Sequence, residues 1–216
     1  SAVRDAVALL IGGNLGEIGF TLLAGLLDGR SPLNARQLLL VNLLTDTIPA
    51  LAVALRRPDE SARGVILHDG PDASLGDALT RDIEWRAALT TSVTTLFWAL
   101  NRARGQNPSL STLSMLILVG TQLAQTVLAG KGSRDVILSS LLALIVMGVI
   151  VQTPGLSHLF GCRPLGPRDW AQVVASMLLS LAASSALPWA EQNVTQLINR
   201  ARKEIQDLLE QDPLDA

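Results

Sequence analysis

The sequence predicts an all-α protein, a polytopic membrane bundle of six transmembrane helices, and three observations point that way. Of its 216 residues 49% are hydrophobic and only 17% charged, with a mean hydropathy of +0.37, a balance that belongs to membrane proteins. Six predominantly apolar stretches approach the length needed to cross a bilayer, which is about 20 residues with a range of roughly 17 to 25. Trp85, Trp170 and Trp189 stand at the edges of such stretches, where amphipathic rings settle at headgroup level.

The first two stretches, 6–27 and 37–55, are joined by the polar turn Asp28-Gly29-Arg30-Ser31-Pro32 and are expected to form a tight helical hairpin. A polar segment from Arg56 to Arg86 precedes a third stretch, 87–100, which is short and rich in threonine. The fourth, 113–129, and the fifth, 136–151, are separated by a few polar residues. A Pro- and Gly-rich connector, 154–167, then breaks any helix before the sixth stretch, 170–189. These spans make a membrane domain over residues 1–190. In the tail, 191–216, Leu197, Ile198, Ile205 and Leu208 alternate with charges at helical spacing, which predicts an amphipathic surface helix.

An even number of spans places both termini on one side. Eleven of the 17 Lys and Arg residues fall on that side, among them Arg56, Arg57, Lys131 and Lys203, against six on the other. By the positive-inside rule both termini face the cytoplasm, as expected of a protein of the cell membrane. The chain opens at Ser1 without an initiator Met and runs at once into apolar sequence, which suggests a portion of a longer protein.

Several chemistries are excluded. A formal net charge of -2, with no basic face and no basic-aromatic interleaving, argues against nucleic acid as a partner. Cys162 stands alone, so no internal disulfide and no zinc-type Cys/His spacing is available. His68 and His158 are isolated and read as solvated loop residues. Gly130-Lys131-Gly132-Ser133 lacks the earlier glycine of a phosphate-binding loop and reads as a connection between helices. Asn193-Val194-Thr195 fits a glycosylation pattern but falls on the cytoplasmic side.

What remains is polarity inside the spans. Glu17 and Asp46 lie near the middles of the first two stretches, where an acid costs about 2.5 to 3.5 kcal/mol. Asn14 and Glu17 are spaced i, i+3, and Asn42, Thr45 and Asp46 are spaced i, i+3, i+4, so each set shares one helix face. Carboxylate, amide and hydroxyl oxygens are the ligands a hard cation takes. Pro49 removes a backbone hydrogen bond one turn later, freeing carbonyls beside the acid. The competing reading is that the two acids are protonated and merely tie helices together. Gln122, in the fourth span, offers either one more oxygen or an ordinary interhelical hydrogen bond. Gly12, Gly13, Gly16 and Gly19 leave space around Asn14 and Glu17, and Gly12-x-x-x-Gly16 has the spacing of closely packed membrane helices.

The segments Gly13-Asn14-Leu15-Gly16-Glu17-Ile18 and Gln37-Leu38-Leu39-Leu40-Val41-Asn42-Leu43-Leu44-Thr45-Asp46-Thr47-Ile48-Pro49-Ala50 resemble the fifth and sixth membrane helices of the P-type cation ATPases, nearest the calcium-transporting branch. The resemblance implies that Asn14, Glu17, Asn42, Thr45 and Asp46 bind the transported cation, with calcium favoured because the sodium/potassium branch usually has Asp at the place of Asn42. The eighth helix of calcium pumps offers an acid where this chain aligns Gln122, which leaves one of two ion sites in doubt. It further implies a C-terminal membrane domain, fifth to tenth helices. The partners would be the lipid bilayer, the N-terminal membrane helices and the cytoplasmic ATPase domains, where ATP and magnesium bind. No Asp-Lys-Thr-Gly-Thr phosphorylation motif occurs in this chain, so no catalytic residue and no bound cofactor is expected in it. The alternatives are a non-hydrolysing membrane subunit derived from a pump, or a gradient-driven transporter or channel using the same acids; an inverted repeat would favour the latter, and none is seen.

Overall fold

The computed structural model describes residues 2–47, 76–105 and 108–186, and for residues 2, 3, 46, 47, 77 and 78 the backbone alone. Every regular element among them is helical: α1 (Ala2–Asp28), α2 (Ala35–Asn42) followed by a π-helical segment Leu43–Thr47, α3 (Asp77–Ala103), α4 (Leu110–Ala129), α5 (Arg134–Gln152), a short α6 (Leu156–Leu159) and α7 (167–186). Residues 1–181 make one compact unit; of the second, 182–216, residues 182–186 are described, as helix. The expected tail helix, His68, Trp189 and Asn193 lie outside the described residues.

Among the described residues, three helices are long and apolar enough to cross a membrane: Arg4–Asp28, Leu110–Ala129 and Arg134–Gln152. They contain the first, fourth and fifth expected spans. The second expected span is described to Thr47 and the sixth to residue 186. The third differs from expectation, because α3 begins at Asp77, ten residues before the apolar stretch. Its polar first turns are held by charge: Arg4 of α1 pairs with Asp82, and the stem of Arg86 lies over Gly12.

α4 is the axis of the bundle, buried continuously from Thr112 to Thr126. Around it the other helices bury single stripes. On α5 these are Val136, Ser140, Ala143, Met147 and Val151, while Leu138, Leu141, Leu142, Ile145 and Val149 face outward. An apolar outer face with a mixed inner face is what lipid surroundings select, since burial there gains little from hydrophobicity and more from packing and hydrogen bonds. The core gathers Phe20, Leu40, Trp98, Leu116, Met147 and Val173 from six helices. Trp98 is thus an interior residue.

α1 and α3 approach closely because α1 presents glycine to α3. A Cβ at Gly16 would stand 2.6 Å from Thr90 Cβ, and one at Gly12 2.8 Å from Arg86 Cβ. Thr91 Oγ1 uses the closeness to donate to the Gly16 carbonyl at 3.2 Å. The expected close-packing role of these glycines therefore holds for Gly12 and Gly16, whereas Gly13 faces Gln122 of α4.

The α1–α2 turn is fixed by side chains. Arg102 donates to Asp28 at 2.6 Å, and Asn34 and Gln37 form a reciprocal capping box at the start of α2, satisfying two of the orphan donors of a helix N-terminus. Gln37 also accepts from Ser111 of α4 at 2.7 Å and donates to the Gly161 carbonyl at 3.3 Å. This network locks α2 in register against α4 and the α6–α7 connector. Cys162 is buried within it. Burial pushes the thiol up from the ordinary cysteine range, against a smaller opposing effect of hydrogen bonds with Gln37 and Thr112, so it is a poor nucleophile at neutral pH. His158 is exposed, as expected, but it lies in α6 and not in a loop, so the 154–167 connector carries one short helical turn.

Candidate cation site

α1, α2 and α4 meet at Glu17. The helix period puts Asn14 and Glu17 of α1 on the side of α2, and Gly13 on the side of α4. Glu17 is 5% exposed, so a formal carboxylate stands inside a membrane helix bundle and needs partners. Gln122 Nε2 supplies one, donating to Glu17 Oε1 at 3.4 Å and to the Gly13 carbonyl at 3.2 Å. Asn42, with its amide nitrogen turned to the carboxylate, donates to Glu17 Oε2 at 2.9 Å and Oε1 at 3.1 Å. One acid and two amides from three helices thus share one centre.

Asn14, Glu17 and Asn42 also line a cavity of about 460 Å³ together with Ile18, Thr21 and Leu38. On the other side of Glu17, Gly13, Thr45 and Gln122 border a void of about 10 Å³, roughly the room one water needs. Thr45 is buried and its hydroxyl donates to the Val41 carbonyl at 3.0 Å, a back-bond that loosens the helix ladder. The backbone responds one residue after α2 ends, where Leu43–Thr47 winds as a π-helix. Such segments widen a helix and recur at functional sites. Asp46 lies in this segment; its side chain and Pro49 fall outside what is described.

Of the six residues singled out in the sequence, Asn14, Glu17, Asn42, Thr45 and Gln122 border this centre. No group of three or more His, Cys, Asp or Glu side chains occurs among the described residues, so amide, hydroxyl and carbonyl oxygens dominate around Glu17. Sequence reasoning passed over Thr21, which lines the same cavity; it sits four residues after Glu17 and seven after Asn14, and that stripe was the available signal. It also passed over Gln125, whose amide donates to Thr90 at 2.9 Å between α4 and α3; i, i+3 spacing from Gln122 is too common to have pointed to it.

Fold and composition define an all-helical integral membrane domain with a buried acid at its centre. Residues 30–190 match the family model described as "Cation transporting ATPase, C-terminus". The chain is 39% identical over 207 residues to "Probable cation-transporting ATPase I" of Mycobacterium leprae, covering 87% of this chain and 13% of that protein. It is 40% identical over 209 residues to the protein of the same description from Mycobacterium tuberculosis, again 87% of this chain and 13% of the relative. "Calcium-transporting ATPase" of Bacillus subtilis is 27% identical over 188 residues, 80% of this chain and 21% of that protein. The chain belongs to the P-type cation-transporting ATPase family, as its C-terminal membrane domain. It spans about an eighth of the length of its mycobacterial relatives.

Proposed function

We propose that this domain supplies part of the intramembrane binding site of an ATP-driven pump, with calcium the transported cation. The observation that carries the reading is the convergence of Asn42 and Gln122 on the buried Glu17 carboxylate. Asn14, Glu17, Asn42, Thr45 and Asp46 are the ligands, with Gln122 on the opposite flank. Calcium takes about 6 to 8 oxygens, and both amides can provide theirs by a half-turn that exchanges N–H for C=O. With no cation, the N–H ends satisfy Glu17; with one, the oxygen ends turn inward. Calcium is favoured over other hard cations by the amide at Asn42 and by relatives described as calcium-transporting.

ATP, magnesium and the phosphorylated residue belong to parts of the pump outside this chain, as do the N-terminal membrane helices that complete the site. The protein sits in the cell membrane with both ends of this domain in the cytoplasm. Phosphorylation there shifts the helices to a state in which the oxygen cage is looser; the cation leaves, and Glu17 and Asp46 take up protons in exchange.

In the full-length protein, Asp46→Ala is expected to abolish cation-dependent phosphorylation by ATP while leaving the amount of membrane-inserted protein unchanged. Normal cation dependence in that variant would remove Asp46 from the site.

A further inference from the structure

The 460 Å³ cavity beside Glu17 is not confined to the residues that resemble known ligands. Its α1 wall is Asn14, Glu17, Ile18, Thr21 and Leu22, and its α2 wall is Leu38 and Asn42. Asn14, Glu17 and Thr21 are spaced i, i+3, i+7, so one stripe of α1 bears an amide, a carboxylate and a hydroxyl along about two turns. Thr21 lies towards the α1–α2 turn, so the cavity leads from Glu17 in the direction of Asp28. Its hydroxyl oxygen is buried and has no hydrogen-bond partner among the described residues. The polar groups at Glu17 are mutually satisfied, whereas this one is not. An orphaned buried hydroxyl destabilises a fold, and of the described residues on this cavity's wall Thr21 is the one that carries such an atom.

We propose that Thr21 is a further oxygen ligand of the transported cation, met as the ion passes between Glu17 and the end of the cavity nearest the α1–α2 turn. As it stands the hydroxyl oxygen is enclosed, and rotation about the Cα–Cβ bond would turn it to the cavity that Thr21 lines. A neutral oxygen next to the Glu17 carboxylate suits a hard divalent cation, which keeps part of its shell while it exchanges ligands. The inference rests on the cation-site reading of Glu17.

The test compares Thr21→Val, Thr21→Ser and Glu17→Gln in the full-length protein, each titrated with calcium and read as phosphorylation from ATP, with thermal inactivation measured in parallel. Valine has threonine's shape, so removing an unpartnered hydroxyl leaves thermal stability the same or higher. The expected result is a roughly fivefold rise in half-saturating calcium for Thr21→Val, the scale of one neutral oxygen contact, with Thr21→Ser near wild type. An unchanged calcium titration in Thr21→Val, with half-saturating calcium strongly raised in Glu17→Gln, overturns the role of Thr21 and leaves the site standing. Unchanged titrations in both Thr21→Val and Glu17→Gln overturn the site and this inference together.

Discussion

Glu17→Gln is expected to raise the half-saturating cation concentration for phosphorylation about a hundredfold or more. The substitution keeps the shape of the side chain and can still accept from Gln122 and Asn42, so the helices stay packed. What it removes is the formal charge that the described centre offers a cation. Taking one partner from a buried charge pair costs about 3 to 5 kcal/mol, which is roughly two to four orders of magnitude in affinity. Gln122→Leu is the informative contrast. Gln122 is neutral and contributes one hydrogen bond to Glu17, so its loss is expected to cost about tenfold or less. A ratio near one between the two variants would mean that Glu17 acts as a helix tie, the alternative that the sequence left open.

The second large effect is on stability. Gly16→Ala places a methyl group 2.6 Å from Thr90 Cβ and 2.8 Å from Thr90 Cγ2. A rotamer change of Thr90 can move Cγ2 away, but the Cβ contact stays, because that atom is fixed to the backbone of α3. α1 and α3 must separate, and overpacking of this kind costs about 1 to 3 kcal/mol. Gly25→Ala is the control: its nearest neighbour would be the Arg30 carbonyl at 3.8 Å, an ordinary contact, so the better helix propensity of alanine leaves the protein as stable or slightly more so. Thermal inactivation of the detergent-solubilised full-length protein is expected to show a lower midpoint for Gly16→Ala and none for Gly25→Ala. Gly16→Ala with Thr90→Gly should recover part of the loss, since the colliding atoms are gone, although the Gln125 hydrogen bond to Thr90 goes with them.

Much of this was legible in the sequence. Apolar stretches of spanning length gave the positions of α1, α4 and α5, and the i, i+3 and i, i+3, i+4 spacings put Asn14 with Glu17 and Asn42 with Thr45. The physical reason is that membrane helices are long, regular and internally hydrogen-bonded, so side-chain direction follows from sequence spacing alone. Two features did not follow. The start of α3 at Asp77 depends on Arg4 and Asp82 meeting across two helices, 78 residues apart in the chain. The orientation of Gln122 depends on the Gly13 carbonyl and the Glu17 carboxylate of α1, which both accept from its amide. Periodicity reports which face a residue occupies; which neighbour that face meets is tertiary information. The π-helical segment at Leu43–Thr47 is of the same kind. Pro49 signalled a weakened ladder, and the structure shows the helix already widened before it.

Whether Glu17 is a cation ligand can be read from equilibrium binding of radiolabelled calcium to membranes containing the full-length protein, without ATP. Saturable binding is expected in the wild type and its loss in Glu17→Gln at equal protein content. Equal calcium binding by the two proteins would remove Glu17 from the site.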